Sequence, residues 1–363
     1  MIRNRILERA AVLAMACGLF IMPGCRTQND EADDDQVVYV AGYTSKLSNG
    51  GTLEVPCYWM NGARTDLSVP NASTDGCGRS IYVSGNDVFV AGYLASGKEV
   101  PCYWKNGVRT DLSVLNAPYS GWAHSIYVSE GDVYIVGSTM NNSGDGVPCY
   151  WKNGARIDLS VMDPSKWGVA SGIFVSGSDV YVAGSTSNGS DLYVPCYWKN
   201  GVRTDLDSSN EGFGNSICVS GNDVYVAGDI DHDPWGPPLH FPCVPCYWKN
   251  GARIDLSVVD ASESGRAYSI FISGNDVYVA GTASVPCYWQ NGMRTDLSLS
   301  DTEYGFGYSI YVSGDDIYVA GAAVSKSSFI ALPCYWKNKV RIDLSVADAS
   351  RWSQVNSIFV TSK

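Results

Sequence analysis

Pro-Cys-Tyr-Trp recurs seven times along this chain, starting at Pro56, Pro101, Pro148, Pro195, Pro245, Pro286 and Pro333, at intervals of 45, 47, 47, 50, 41 and 47 residues. A chain that repeats itself at such a period folds as stacked copies of one supersecondary unit, because a single unit cannot bury its own apolar face. Each copy is followed by Arg-(Thr/Ile)-Asp-Leu, beginning at Arg64, Arg109, Arg156, Arg203, Arg253, Arg294 and Arg341, and preceded by a segment like Val-Tyr-Val-Ala-Gly, as at Val38 to Gly42, Val180 to Gly184 and Val277 to Gly281. A fourth segment, Ser-Ile-Tyr-Val or a close variant, begins at Ser80, Ser125, Ser216, Ser269, Ser309 and Ser357, with Ser171-Gly172-Ile173-Phe174 as the seventh.

All four segments are short, rich in Val, Ile, Tyr and Trp, and bounded by Gly, Asn, Asp and Ser, which is the pattern of strands. Ser84-Gly85-Asn86-Asp87 joins the first strand to the second, and Lys105-Asn106-Gly107 the third to the fourth. Both are tight hairpin turns, since Asn and Gly adopt positive φ cheaply. Four antiparallel strands per unit, seven times over, predict an all-β fold: a seven-bladed β-propeller of four-stranded antiparallel blades. Val37 to Gly42 is a second strand with no first strand before it, and Ser357 to Val360 a first strand with no second after it. Their pairing would let the C-terminal strand complete the N-terminal blade and remove an open sheet edge. The innermost strands are expected to be apolar on both faces, as Ile81-Tyr82-Val83 is.

Cys-Tyr-Trp-Lys-Asn-Gly-x-Arg-x-Asp-Leu, preceded by Val-Ala-Gly, resembles the extracellular HAF repeat, whose units run aromatic-x-Trp, Gly, then Asp-Leu. The likeness spans all seven units, with Pro-Cys-Tyr standing where that family has His-Ala-Phe. It implies a propeller and no particular chemistry.

Ahead of the repeats, Arg3, Arg5 and Arg9 precede an apolar stretch from Ala10 to Met22, the layout of an export signal and too short to span a bilayer. Met22-Pro23-Gly24-Cys25 resembles a bacterial lipobox, which implies that Cys25 is lipidated and becomes the mature N-terminus. Residues 1–24 are therefore expected to be a lipoprotein-type signal peptide, 25–36 an acidic flexible tether carrying Asp30, Glu31, Asp33, Asp34 and Asp35, and 37–363 the propeller. Acidic residues just after the lipid cysteine also resemble surface-export signals of some Gram-negative groups. The expected location is the outer membrane or cell surface, with the lipid as the only membrane contact.

Composition narrows the function. Charged residues are 17% of the chain, below the ~25% of an average soluble domain, in keeping with an all-β extracellular protein. A net charge of −12 argues against nucleic acid, which calls for a basic stripe. The chain holds three histidines, His124, His232 and His240, and no Gly-x-Ser-x-Gly, His-Glu-x-x-His or phosphate-loop pattern. No catalytic residue and no cofactor is assigned. Carboxylates from different blades could still converge on a glycosidic bond, so a carbohydrate hydrolase or lyase stays open as an alternative to a binding or scaffolding protein, as does a purely structural envelope role.

Residues present in every blade read as scaffold. The seven Trp from Trp59 to Trp336 pack between blades, and each Arg-x-Asp pair puts both side chains on one strand face. Seven of the twelve cysteines occupy one equivalent position, from Cys57 to Cys334, too far apart around a ring for the ~7 Å Cα separation a disulfide needs, so they are expected as free buried thiols. An insertion from Asp229 to Cys243 holds Asp229, Asp231, His232, Asp233 and His240 ahead of Cys246. It is read as an acidic surface loop rather than a calcium or zinc site: Pro234 stands where a calcium loop needs Gly, and Cys246 is the ordinary repeat cysteine.

The remaining two connections of each blade share the face opposite the tight turns and vary in length and content, as binding loops on a rigid scaffold do. They present Trp122, Trp167, Phe213, Tyr304, Phe306 and Trp352. Just before the innermost strands stand Arg79, His124, Asn215, Tyr268, Tyr308 and Asn356, at the expected mouth of a central channel. Aromatics among hydrogen-bonding groups suit a glycan or a protein ligand.

Overall fold

The computed structural model describes residues 36–48, 51–115, 119–189, 192–231, 243–260, 263–300 and 303–363. The export signal, Cys25, the tether up to Asp35, and His232, Asp233 and His240 lie outside the described residues.

Twenty-eight strands, β1 to β28 in chain order, form seven four-stranded antiparallel sheets. The second blade is typical, with β4 (Asp75–Ser84) innermost, then β5 (Asp87–Ala95), β6 (Glu99–Lys105) and the outermost β7 (Val108–Asp111). The other innermost strands are β8 (Gly121–Ser129), β12 (Gly168–Ser176), β16 (Glu211–Ser220), β20 (Gly265–Ser273), β24 (Glu303–Ser313) and β28 (Gln354–Ser362). The first blade is composite: β28 pairs with β1 (Gln36–Ser48) from Gln36↔Ser362 to Tyr43↔Gln354, so both chain ends share one sheet and the ring is closed.

The repeated residues hold the blades as their spacing requires. All seven Trp are fully buried. The indole N–H of Trp104 donates to the carbonyl of Ser68, just past the outer strand of the preceding blade, at 2.8 Å, and the bond recurs for Trp59, Trp151, Trp198, Trp289 and Trp336. Trp248 is the exception, its Nε1 buried without a partner; in the blade before it Asp207 follows Leu206 where other blades have Ser. Each Arg-x-Asp forms an ion pair within its strand, as Arg64–Asp66 at 2.9 Å and Arg341–Asp343 at 2.6 Å; on the rim such pairs contribute ~0–1 kcal/mol each. The seven repeat cysteines are unpaired and buried.

Both hairpin turns take the expected backbone. In the second, the Asn residues sit at φ 48–51° and the following Gly at 79–83°. The last blade departs, with Lys339 at φ 74° in the glycine position.

A second set of ties runs around the channel. The backbone N–H of Ile126 donates to Ser80 Oγ of the preceding innermost strand at 3.2 Å, and Ile81, Ile270, Ile310 and Ile358 do the same to Ser357, Ser216, Ser269 and Ser309. Gly172 takes the serine position in β12, where a Cβ would come within 2.9 Å of Ser216 Cα.

Candidate functional site

Antiparallel pairing places the start of every innermost strand at one end of the channel. There each strand carries a β-bulge. In β4 the register slips between Gly78 and Ser80, leaving Arg79 as the extra residue, and the same slip skips His124, Ser171, Asn215, Tyr268, Tyr308 and Asn356. A bulge inserts an unpaired residue and re-aims its side chain. Seven bulges at one level point one residue per blade at a common mouth, and these seven residues line two overlapping concavities of about 210 and 310 Å³.

Below the bulges come the serine hydroxyls, and below these a collar of rings. Tyr82 lies 4.9 Å from Tyr127 and 4.8 Å from Phe359; Tyr127–Phe174 is 5.1 Å, Phe271–Tyr311 4.8 Å and Tyr311–Phe359 5.0 Å between centroids. Cys218 fills the seventh place, between Phe174 and Phe271 in strand order. The innermost strands are flanked by neighbouring blades on both sides, as expected, and their Tyr82-type rings meet one another around the channel. A seven-membered circle of this spacing puts ring centroids about 5.6 Å from the axis; with carbon atoms in contact at ~3.5–4 Å, an opening of only a few ångströms remains. The mouth is therefore a cup with a polar wall and a floor of serine hydroxyls, with the aromatic collar beyond that floor.

The wall is asymmetric. Running from blade to blade its order is Asn356, Arg79, His124, Ser171, Asn215, Tyr268, Tyr308. The Arg79 guanidinium lies over the Tyr93 ring at 5.4 Å, and its buried Nε has no hydrogen-bond partner. Burial and the neighbouring Arg79 push the His124 imidazole down to about 3, so it is neutral at physiological pH. On the far arc Tyr268 and Tyr308 touch at 5.5 Å, and burial raises both phenols, which stay protonated. Asn356 Nδ2 donates to the Gly78 carbonyl at 2.9 Å and Asn215 Nδ2 to the Ala267 carbonyl at 2.9 Å, each holding the backbone just ahead of the next bulge. These two asparagines are in part structural. Asn215 also donates to Asp229 Oδ1 at 3.1 Å; burial first, and Asp231 as well, raises that carboxyl to about 6 against the pull of Arg266 and Asn215.

Six of the eleven sequence-predicted ligand residues, Arg79, His124, Asn215, Tyr268, Tyr308 and Asn356, are brought together at the mouth. Trp122, Trp167, Phe213, Phe306 and Trp352 do not line it. Phe306 stacks on Tyr308 at 5.7 Å and meets Tyr304 edge-on, continuing the far arc outward; Trp167 and Phe213 are joined through Tyr193. Trp122 is half-buried, and Trp352 is exposed. Sequence reasoning missed Ser171, the hydroxyl ring and the collar. The last two were within reach, since Ser80 and Tyr82 recur two apart on one strand face. Among the described residues no group of three His, Cys, Asp or Glu is placed to hold a metal ion.

No known protein family matches this chain, and no curated protein does. Solved structures do. The β-propeller domain of the Trilobed protease from Pyrococcus furiosus, described as having an open velcro topology, aligns with a TM-score of 0.50 at 9% identity over 86% of this chain and 96% of its own. A puromycin-hydrolyzing peptidase of Mycobacterium tuberculosis gives 0.49 at 13% over 75% of this chain, and an acylaminoacyl peptidase of Pyrococcus horikoshii 0.47 at 11% over 85%. The chain spans about half the length of those two, 46% and 50%. At such identities the likeness establishes the propeller fold alone.

Proposed function

We propose that this chain is a non-catalytic binding propeller of the bacterial cell envelope, exported and lipid-anchored through Cys25 and akin to HAF-repeat proteins, which captures a glycan at the mouth of its central channel. One observation carries the reading: seven β-bulges, one per blade, present seven side chains of different chemistry to a single cup. A scaffold position that served packing alone would repeat the same residue, as the Trp and Cys positions do. This one varies from Arg to Ser to Tyr. Hydroxyls, amides and phenols around one cup match a sugar, whose hydroxyls need partners and whose C–H face packs on rings such as Tyr268 and Tyr308.

Hydrolysis of a glycan at the cup has less support. It calls for two carboxylates flanking the bond. The residues lining the cup include none, and Asp229 stands behind Asn215. A glycan array and an envelope pull-down, each with wild type and the Tyr268→Ala/Tyr308→Ala variant, test the proposal. Capture by wild type and at least tenfold weaker capture by the variant are expected. Undiminished capture by the variant places the site elsewhere, turnover of a captured glycan makes the protein an enzyme, and capture of a protein but no glycan makes it a scaffold.

A further inference from the structure

Among the described residues Arg79 is the one charged side chain lining the cup, in a chain whose net charge is −12. No carboxylate lies within ion-pair distance of its guanidinium among the described residues; its contacts are the Tyr93 ring and hydroxyl, and its Nε is buried with no partner. The nearest titratable groups are Cys77, whose thiol burial pushes up to about 11, and the phenols of Tyr93 and Tyr43, all neutral at physiological pH. Glu54 feels the guanidinium without forming an ion pair with it, and its own carboxyl is raised by burial and by Asp75 against the pull of Arg79. The adjacent His124 is held neutral, so it adds no charge of its own. A half-buried guanidinium with no carboxylate in ion-pair contact and an unpartnered Nε has capacity left for an anion, and a planar carboxylate is the partner its fork geometry fits.

The rest of the cup sets the shape of that anion. Ser171, the smallest of the seven side chains, and Tyr308 each stand two places from Arg79, on opposite sides, while Tyr268, in contact with Tyr308, stands across the ring beside Asn215. A ligand whose carboxylate meets Arg79 and that crosses the cup therefore has the two phenols along one side of it, over a floor of serine hydroxyls. Concavities of about 210 and 310 Å³ lie at the small end of ligand pockets, at ~300 Å³ and above, and hold one sugar ring rather than a chain.

We infer that the cup is specific for a single carboxylate-bearing sugar, a hexuronate residue at the end of an acidic glycan, with Arg79 as the carboxylate partner and Tyr268 and Tyr308 packing on the sugar face. This rests on the binding reading above and names its ligand class.

Calorimetric titration of the full chain tests it, with glucuronate and galacturonate as probes against glucose, galactose, acetate and inorganic phosphate. Both the wild type and the variants Arg79→Gln and Arg79→Lys are titrated. At least one uronate should bind tenfold or more tighter than its neutral parent and than acetate or phosphate. Arg79→Gln should abolish that preference and Arg79→Lys retain part of it, since an ammonium keeps the charge and loses the fork. Neutral sugars binding as well as uronates would overturn the acidic specificity while leaving the glycan reading standing. Acetate or phosphate binding as tightly as a uronate would reduce the cup to an anion site, and no binding of any probe would overturn the inference. Because the wild type alone separates these outcomes, a folding defect in a variant does not obscure them.

Discussion

His124 at the mouth and Asp229 buried behind Asn215 carry opposite perturbations. The His124 imidazole is pushed down to about 3 by burial and by Arg79, from ~6.5 when unfolded. Between those pH values the unfolded chain holds a proton that the folded chain does not, so the His124 contribution is fully present above pH ~6.5 and is lost as pH falls toward 3. Asp229, raised to about 6, works the other way: its contribution is present below the ~3.9 of an unfolded aspartate and lost as pH rises through 6. Between about pH 4 and 6 the two oppose each other. The unfolding free energy of wild type minus that of His124→Gln isolates the first. It should drop by up to ~1.4 kcal/mol per pH unit as pH is lowered from 6 to 4. A flat difference would mean that the imidazole is solvated. The perturbations were not legible in the sequence, where His124 read as a ligand residue at the channel mouth and Asp229 as part of an acidic surface loop. Burial and the nearness of Arg79, 45 positions earlier, exist only once blades are side by side.

At the scale of the strand and turn the sequence was most informative. Val, Ile, Tyr and Trp runs bounded by Asn-Gly and Gly-Asn predict every blade's strands, and positive φ at Asn61, Gly62 and their equivalents is the conformation those residues are chosen for. Two turns depart from the pattern: Glu130 sits at φ 52° where the other first hairpins have Gly, and Lys339 occupies the left-handed region at φ 74° where the other second hairpins have Gly. Lys339→Gly should therefore stabilise the protein by roughly 1 kcal/mol, the strain relieved less the extra freedom glycine has when unfolded. Urea unfolding measures it, and a neutral or destabilising result would show that the turn carries no strain. The bulges are a different matter. Gly78-Arg79-Ser80 looks like the end of a loop, since one extra residue in a strand shifts the alternation of its neighbours by one position and breaks the period-two pattern. The register with β5 reveals it, and that register places Arg79 at the mouth.

For the whole molecule, ring closure followed from where strands begin and end in the chain, and β28 does pair with β1. The cup was harder to read. Variable loops mark the end of the channel at which the seven bulge residues converge, yet five aromatics of those loops stand away from the cup, because exposed variation shows which connections are free to change and not which ones converge. The central claim is that ligand enters the channel from the bulge end. Ser171 lines that mouth, whereas Asn86 is exposed in the β4–β5 turn at the opposite end. The most direct measurement is glycan capture by Ser171→Cys and Asn86→Cys, each coupled to a maleimide-linked polyethylene glycol, with identically treated wild type controlling for the half-buried Cys218. The polymer at position 171 should abolish capture and the polymer at position 86 leave it unchanged; capture that survives at 171, or is lost only at 86, contradicts the account.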